Sequence, residues 1–158
     1  MNVKKYYCHE SAYVSEDSEI GENSNIWHFS HIRENTKIGK NVTIGQNVYI
    51  DAGVVIGSNC KIQNNVSIYK GVVIENNVFI GPSVTFTNDL YPNVKDWNEN
   101  MIVKTLIKSS ASIGANATIV CGNTIGSNSM IGAGSVVTKD IPDGVLAYGN
   151  PAKVVRKI

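Results

Sequence analysis

The sequence predicts an all-β chain, wound as a parallel β-coil of about six to seven triangular turns with one long excursion loop. Three observations carry this. Isoleucines stand six residues apart without a break from Ile38 to Ile80, and the same step begins earlier at Val14, Ile20, Ile26 and Ile32. A helix repeats near 3.6 residues and a strand near 2, so a strict six reads as a short strand and a turn, repeated as in parallel β-helices. Two residues before each aliphatic position stands a small or β-branched residue, such as Val42, Val48, Val54, Cys60 and Val66, on the same strand face. Three residues after it stands Asn, Gly or Asp: Asp17, Asn23, Asn35, Asn41, Asn47, Gly53, Asn59, Asn65, Gly71 and Asn77, then Asn116, Gly122, Asn128, Gly134 and Asp140. These residues tolerate positive φ, so nearly every turn is expected to step through left-handed backbone. Phe29, Ser83 and Ser110 are the exceptions.

Each segment then takes its place in one domain, 1–158. Residues 1–12 precede the regular repeat and are expected to cap the open strand edge of the first coil. Residues 13–86 supply about four coils of three hexads each, stacked at about 4.8 Å. The ladder breaks after Phe86. Residues 87–106 are polar, carry Pro92 and show no helical face. A loop this long in a compact domain is usually functional or disordered. The ladder resumes at Ile107 and continues through Ile113, Ile119, Ile125, Ile131 and Val137. The loop is therefore an excursion from the wall, expected to reach over a neighbouring surface, and 107–140 form about two more coils. Residues 141–158 leave the period and are expected to fold back along the wall or across the coil's end.

Composition narrows the class. Formal net charge is +1 and dispersed, with no basic stripe or aromatic platform for nucleic acid. No apolar run approaches the length of a membrane span. The start, MNVKKYYCHE, has lysines but no apolar stretch behind them, so no signal peptide is expected. Cys8, Cys60 and Cys121 are odd in number and widely spaced, and read as reduced thiols of a cytoplasmic protein, with Cys60 at a small inward position. No metal-ligand spacing is present.

A coil of 18 residues also predicts vertical columns. His28, Gln46, Asn64 and Pro82 fall on one corner; Glu34, Ala52, Lys70 and Asn88 fall on another. One prism side separates them, so a single chain cannot join them. A cyclic homotrimer, the natural closed packing of such a prism, lets one corner meet a different corner of its neighbour.

The hexads, the excursion and the ending resemble the hexapeptide-repeat acyltransferases over nearly the whole chain. The runs IWHFSHI, IGQNVYI, CKIQNNVSIY, VFIGPSVTFTNDLYP and GAGSVVTKDIPDGVLAYGNPAKVVRK are similar to those of nucleotide-sugar N-acetyltransferases. The nearest likeness is to the UDP-2-acetamido-3-amino-2,3-dideoxy-glucuronate type of bacterial surface-polysaccharide synthesis, and next to the dTDP-3-amino-3,6-dideoxyhexose type. The resemblance implies a left-handed coil, against the usual right-handed crossover. It implies acetyl transfer from acetyl-CoA to a sugar 3-amino group, without a metal, in trimers whose sites lie between subunits. It places Asn88 at the acceptor's reacting amine, and Gly149 to Lys153 at the nucleotide end of CoA, with Pro151 and Ala152 flanking the adenine.

The residues themselves suit that chemistry. Aminolysis of a thioester needs a neutral amine, an aligned approach and a place for charge on the thioester oxygen. Gly114, Ala115, Gly132 and Ala133 are small and outward, and are expected to let CoA approach the backbone. Lys139, Lys153 and Arg156 are the late cations able to meet its phosphates. Only His9, His28 and His31 exist, and His28 heads the Gln46–Asn64 column. Two readings of it stand: the general base, or a corner residue satisfied by hydrogen bonds. The subgroup resembled works without a dedicated His; there the amine arrives uncharged, the CoA sulfur accepts the proton and Asn88 orients the amine. That version is preferred here. Arg33, above Tyr69 by two coils, offers a glucuronate carboxylate a bidentate partner, and Lys70 offers another cation. Gln46, Lys61, Gln63 and Asn64 are expected at the sugar or diphosphate, and Asp89 at the sugar or the amine. Tyr91 and Trp97 either stack on the nucleotide base or anchor the excursion. A sugar or serine O-acetyltransferase is the weaker alternative, because deprotonating a hydroxyl calls for a positioned His. A γ-carbonic-anhydrase-like coil needs three His ligands, and these three cluster near the start.

Overall fold

Through the body of the computed structural model, which describes residues 5–158, each hexad forms a strand of two or three residues and then a turn. The part of the expected cap in residues 1–4 lies outside the described residues. Pairing is parallel with a step of eighteen: Lys61 lies beside Thr43 on one side and Phe79 on the other. Three sheets result, of nine, seven and six strands among the described residues, and they form the walls of a prism. Wall A runs from Tyr7–Cys8 through Lys61–Ile62 to Val145–Gly149; wall B from Tyr13–Val14 to Val136–Val137; wall C from Glu19–Ile20 to Thr124–Ile125.

Wall A carries eight parallel rungs, beyond the six to seven turns expected. Both ends lengthen the coil. Tyr7–Cys8 is a regular rung inside the expected cap, and Val145–Gly149 is another inside the expected tail. Ala152–Lys157 then turns back antiparallel on Val145–Gly149 and covers the last edge of wall A.

The turns explain the asparagines. In the left-handed step the backbone N–H points to the preceding coil: Asn47 donates to the His28 carbonyl, Asn65 to Gln46 and Asn77 to Ser58, each at 2.9 Å. Side-chain amides continue the link, Asn41 to Asn59 at 3.1 Å and Asn47 to Asn65 at 3.0 Å. Three expected exceptions are not exceptions. Phe29, Ser83 and Ser110 take φ of 57°, 60° and 62°. The adjoining coil imposes the conformation even on a bulky residue that disfavours it. Conversely Asp17 and Asp140, expected left-handed, are not. Asp17 has no described coil before it to bond, and the Asp140 carboxylate accepts the Thr124 N–H at 2.7 Å instead.

The inward ladder fills the prism. Along wall A, Ile26, Ile44, Ile62, Ile80, Ile113 and Ile131 are each at most 1% exposed. Cys60 shares this core, and burial pushes its thiol up. Across the excursion Phe79 pairs with Ser112, 33 residues on instead of 18, so fifteen residues are inserted without loss of register. The strand resumes at Thr105, which shortens the excursion to 87–104 from the 87–106 expected. The loop closes at its base, where Val103 N–H donates to the Asn88 carbonyl at 2.9 Å. Ile102 lies over Gly71 and Val103 over Gly122, and a 3-10 turn, Glu99–Met101, is capped by Asn98.

Candidate active site

The two polar columns stand on different corners, as the 18-residue step requires. Where wall A turns into wall B, Trp27, His28, Gly45, Gln46, Lys61, Gln63 and Asn64 line a pocket of about 290 Å3. His28 is half-buried and its ring stacks on His9, centroids 3.6 Å apart. The reading of His28 as a hydrogen-bonded corner residue is not what holds it. His9 is fixed in turn by Ser11, whose backbone N–H reaches His9 Nδ1 at 3.2 Å. Asn64 Oδ1 accepts the Gln46 N–H at 2.9 Å, which ties two levels of the column together.

Further along wall A lies a second, apolar groove of about 300 Å3, lined by Phe79, Ser112, Ile113, Gly114, Met130, Ile131, Gly132 and Ala133. Three of the four expected CoA-lining residues meet here; Ala115 is not among the lining. Beyond it stands the terminal hairpin, with Lys153 opposite Tyr148 and Ala152 opposite Gly149. Pro151 lies in its turn, and Arg156 pairs with Leu146 on its outer strand. Lys139 does not join them: it follows wall B, on the corner leading to wall C.

Where wall B turns into wall C, Arg33, Glu34, Asp51, Lys70, Asn88, Trp97 and Glu99 line a cavity of about 130 Å3. Its cations are engaged. Arg33 bonds Glu34 twice, at 2.6 and 3.1 Å, and Asp51 at 3.0 Å. Lys70 reaches Glu99 of the excursion at 2.9 Å. The Glu34 carboxyl is held below its ordinary value, first by its own backbone amide and then by Arg33. Asp51 also accepts from Tyr49 and from the backbone of Ala52 and Lys70. Burial pushes the Tyr49 phenol up, and its ring lies 5.6 Å from Tyr69. The Asn88 side-chain amide has no protein partner among the described residues. Asp89 accepts the Tyr91 N–H with one oxygen, while the other is buried without a partner.

Residues 17–52 and 53–88 match the bacterial transferase hexapeptide family (six repeats), and residues 35–70 and 111–139 match the hexapeptide repeat of succinyl-transferase. The chain belongs to the hexapeptide-repeat acyltransferases. With that family comes the left-handed winding of the coil. This hexapeptide-repeat chain is 65% identical over 51 residues to a dTDP-3-amino-3,6-dideoxy-alpha-D-galactopyranose 3-N-acetyltransferase of Aneurinibacillus thermoaerophilus, covering 32% of this chain and 27% of that one. A galactoside acetyltransferase solved with coenzyme A is 34% identical, covers 82% of this chain and 66% of its own, and superposes with a TM-score of 0.69. PerB of Caulobacter crescentus, solved with CoA and GDP-perosamine, is 25% identical over 96% of this chain and 57% of its own, with a TM-score of 0.60. The chain spans less than half the length of the curated relatives it matches. Among the described residues no group of three His, Cys, Asp or Glu stands ready for a metal, and no helix is long and apolar enough to cross a membrane.

Two parts of the site were not anticipated in the hexapeptide-repeat sequence. Asp51, the hub of the second corner, lies one coil below Arg33, a spacing visible in the sequence. His9 also keeps the eighteen-residue step, one level before Trp27, but the ring it stacks on is that of His28, one position further on. The glycines also have a second reason to be glycines. A Cβ on Gly114 would meet the Ala133 backbone nitrogen at 2.5 Å, and one on Gly132 would meet Tyr148 Cβ at 2.7 Å. They let coils stack as well as line the groove. Gly114→Val is therefore expected to destabilise the fold by about 1–3 kcal/mol through overpacking. Denaturant unfolding checks this; an unchanged midpoint would leave only a groove-lining role.

Proposed function

We propose that this chain transfers acetyl from acetyl-CoA to the 3-amino group of a nucleotide-linked amino sugar. The observation that carries it is the unpartnered amide of Asn88, half-buried at one corner, set against a polar pocket at another with an apolar groove further along the same wall. In a cyclic trimer these edges form one cleft between copies. The apolar groove with its small residues suits the pantetheine arm, and Lys153 beyond it suits a phosphate. Acetyl-CoA supplies an acyl carbon activated as a thioester. Asn88 holds the uncharged amine in line; the nitrogen bonds to the acyl carbon, the carbon–sulfur bond breaks, and the amine's proton goes to the leaving sulfur. His28, stacked on His9, serves the acceptor pocket in this scheme rather than taking the proton.

The first acceptor reading is a UDP-linked 2-acetamido-3-amino-glucuronate, made for surface polysaccharide. It requires Arg33 to exchange Glu34 for the substrate carboxylate. A dTDP-linked 3-amino-3,6-dideoxyhexose is the second reading. It is favoured by the 65% match over 51 residues and by the ion pairs that already engage Arg33 and Lys70. A cytoplasmic location belongs to the same proposal and is supported by the three unpaired thiols. The test is acetylation of a panel of UDP- and dTDP-3-amino sugars, read by product mass. A mass gain of one acetyl on an amino sugar is expected. Acetylation of hydroxyls alone, or of no member of the panel, overturns the proposal.

A further inference from the structure

We propose that the pyrimidine base of the nucleotide sugar stacks on Trp27, in the pocket between walls A and B, and not on the aromatic residues of the excursion. This rests on the nucleotide-sugar reading above. The chain has two tryptophans, Trp27 and Trp97, and they line different cavities.

Size separates them first. The Trp27 pocket holds about 290 Å3, near the lower end of ligand pockets, whereas the Trp97 cavity holds about 130 Å3. Charge separates them next. A nucleoside diphosphate is strongly anionic. Lys61 is the charged residue lining the Trp27 pocket, and it makes no ion pair among the described residues. The Trp97 cavity sets the cations Arg33 and Lys70 against the carboxylates of Glu34, Asp51 and Glu99. The pocket at Tyr91 offers the half-orphaned carboxylate of Asp89. Both would repel phosphate.

One column of the coil carries Trp27, Gly45 and Gln63 on successive levels. At Gly45 the next coil closes in, for a Cβ there would meet Asn64 Oδ1 at 2.6 Å and the Asn64 backbone nitrogen at 2.8 Å, so the base is received on the exposed part of the Trp27 ring and not in a gap between levels. Trp27 is 40% exposed, and its ring stacks with that of His28 within 7° of parallel, centroids 6.2 Å apart. The Gln46 and Gln63 side-chain amides make no hydrogen bond to protein among the described residues. Each offers a donor and an acceptor, the pattern that a pyrimidine imide edge requires.

Two single-tryptophan variants test this, Trp27→Phe and Trp97→Phe, each titrated with UDP and with dTDP while tryptophan fluorescence is followed. Quenching is expected in Trp97→Phe and absent in Trp27→Phe. Lys61→Met is expected to weaken UDP binding about tenfold, as loss of a hydrogen bond to a charged group does, and to leave uridine binding unchanged. Quenching that persists in Trp27→Phe, whether or not it is also seen in Trp97→Phe, overturns the assignment. So does a wild-type enzyme that acetylates a nucleotide sugar while its fluorescence ignores both nucleotides. If wild type neither binds UDP or dTDP by calorimetry nor acetylates the panel, the function itself fails, and this assignment with it.

Discussion

Asn88→Ala is expected to lower kcat/KM about 100-fold and to leave the melting temperature unchanged. The Asn88 amide bonds nothing in the protein among the described residues, so its removal breaks no structural contact. The carbonyl of the same residue, which closes the base of the excursion on Val103, is kept by alanine. What alanine loses is alignment of the amine, and a misplacement of about 1 Å at a reacting centre is enough for a factor of about 100. That corresponds to about 2.7 kcal/mol of transition-state stabilisation. Steady-state kinetics with acetyl-CoA and the acceptor, paired with a thermal melt, separate the two effects. Activity within threefold of wild type would remove Asn88 from the reacting centre. Lost activity with a lowered melting temperature would make it a structural residue.

Ile62→Ala is expected to cost about 2–5 kcal/mol, or about 5–15 °C in Tm for a chain of this size. Ile62 is fully buried and is flanked on wall A by Ile44 and Ile80. The hole cannot collapse, because the strands above and below are held at fixed spacing by their backbone hydrogen bonds. Ile20 on the first rung of wall C is only half-buried, and Ile20→Ala is expected to cost less. Melts at one protein concentration check both, since assembly adds its own stabilisation. Equal losses at the two positions would mean that the coil does not unfold as a stack whose ends are weaker than its middle.

The inward half of this molecule was legible because each isoleucine answers to one constraint, the six-residue step. The three walls, the single break and most left-handed turns followed from it. Phe29, Ser83 and Ser110 show that the constraint belongs to the coil and not to the residue type. The outward half was legible only as columns. Arg33 and Asp51 stand eighteen residues apart, so their ion pair was there to be read; Arg33 was instead matched to a substrate carboxylate. The stack of His9 on His28 was hidden, because half-buried surface rings choose partners by rotamer, which no period encodes. Gly114 and Gly132 were read as openings for a ligand, while the tight approach of the next coil becomes visible only once the chain is wound.

Phe86 and Thr105 keep their wall positions although fifteen extra residues lie between them. The segment over the second corner can therefore change in length and chemistry while every isoleucine keeps its neighbours. An insertion at this point is thus tolerated by the foldable frame, which holds its register whether the added length is short or long.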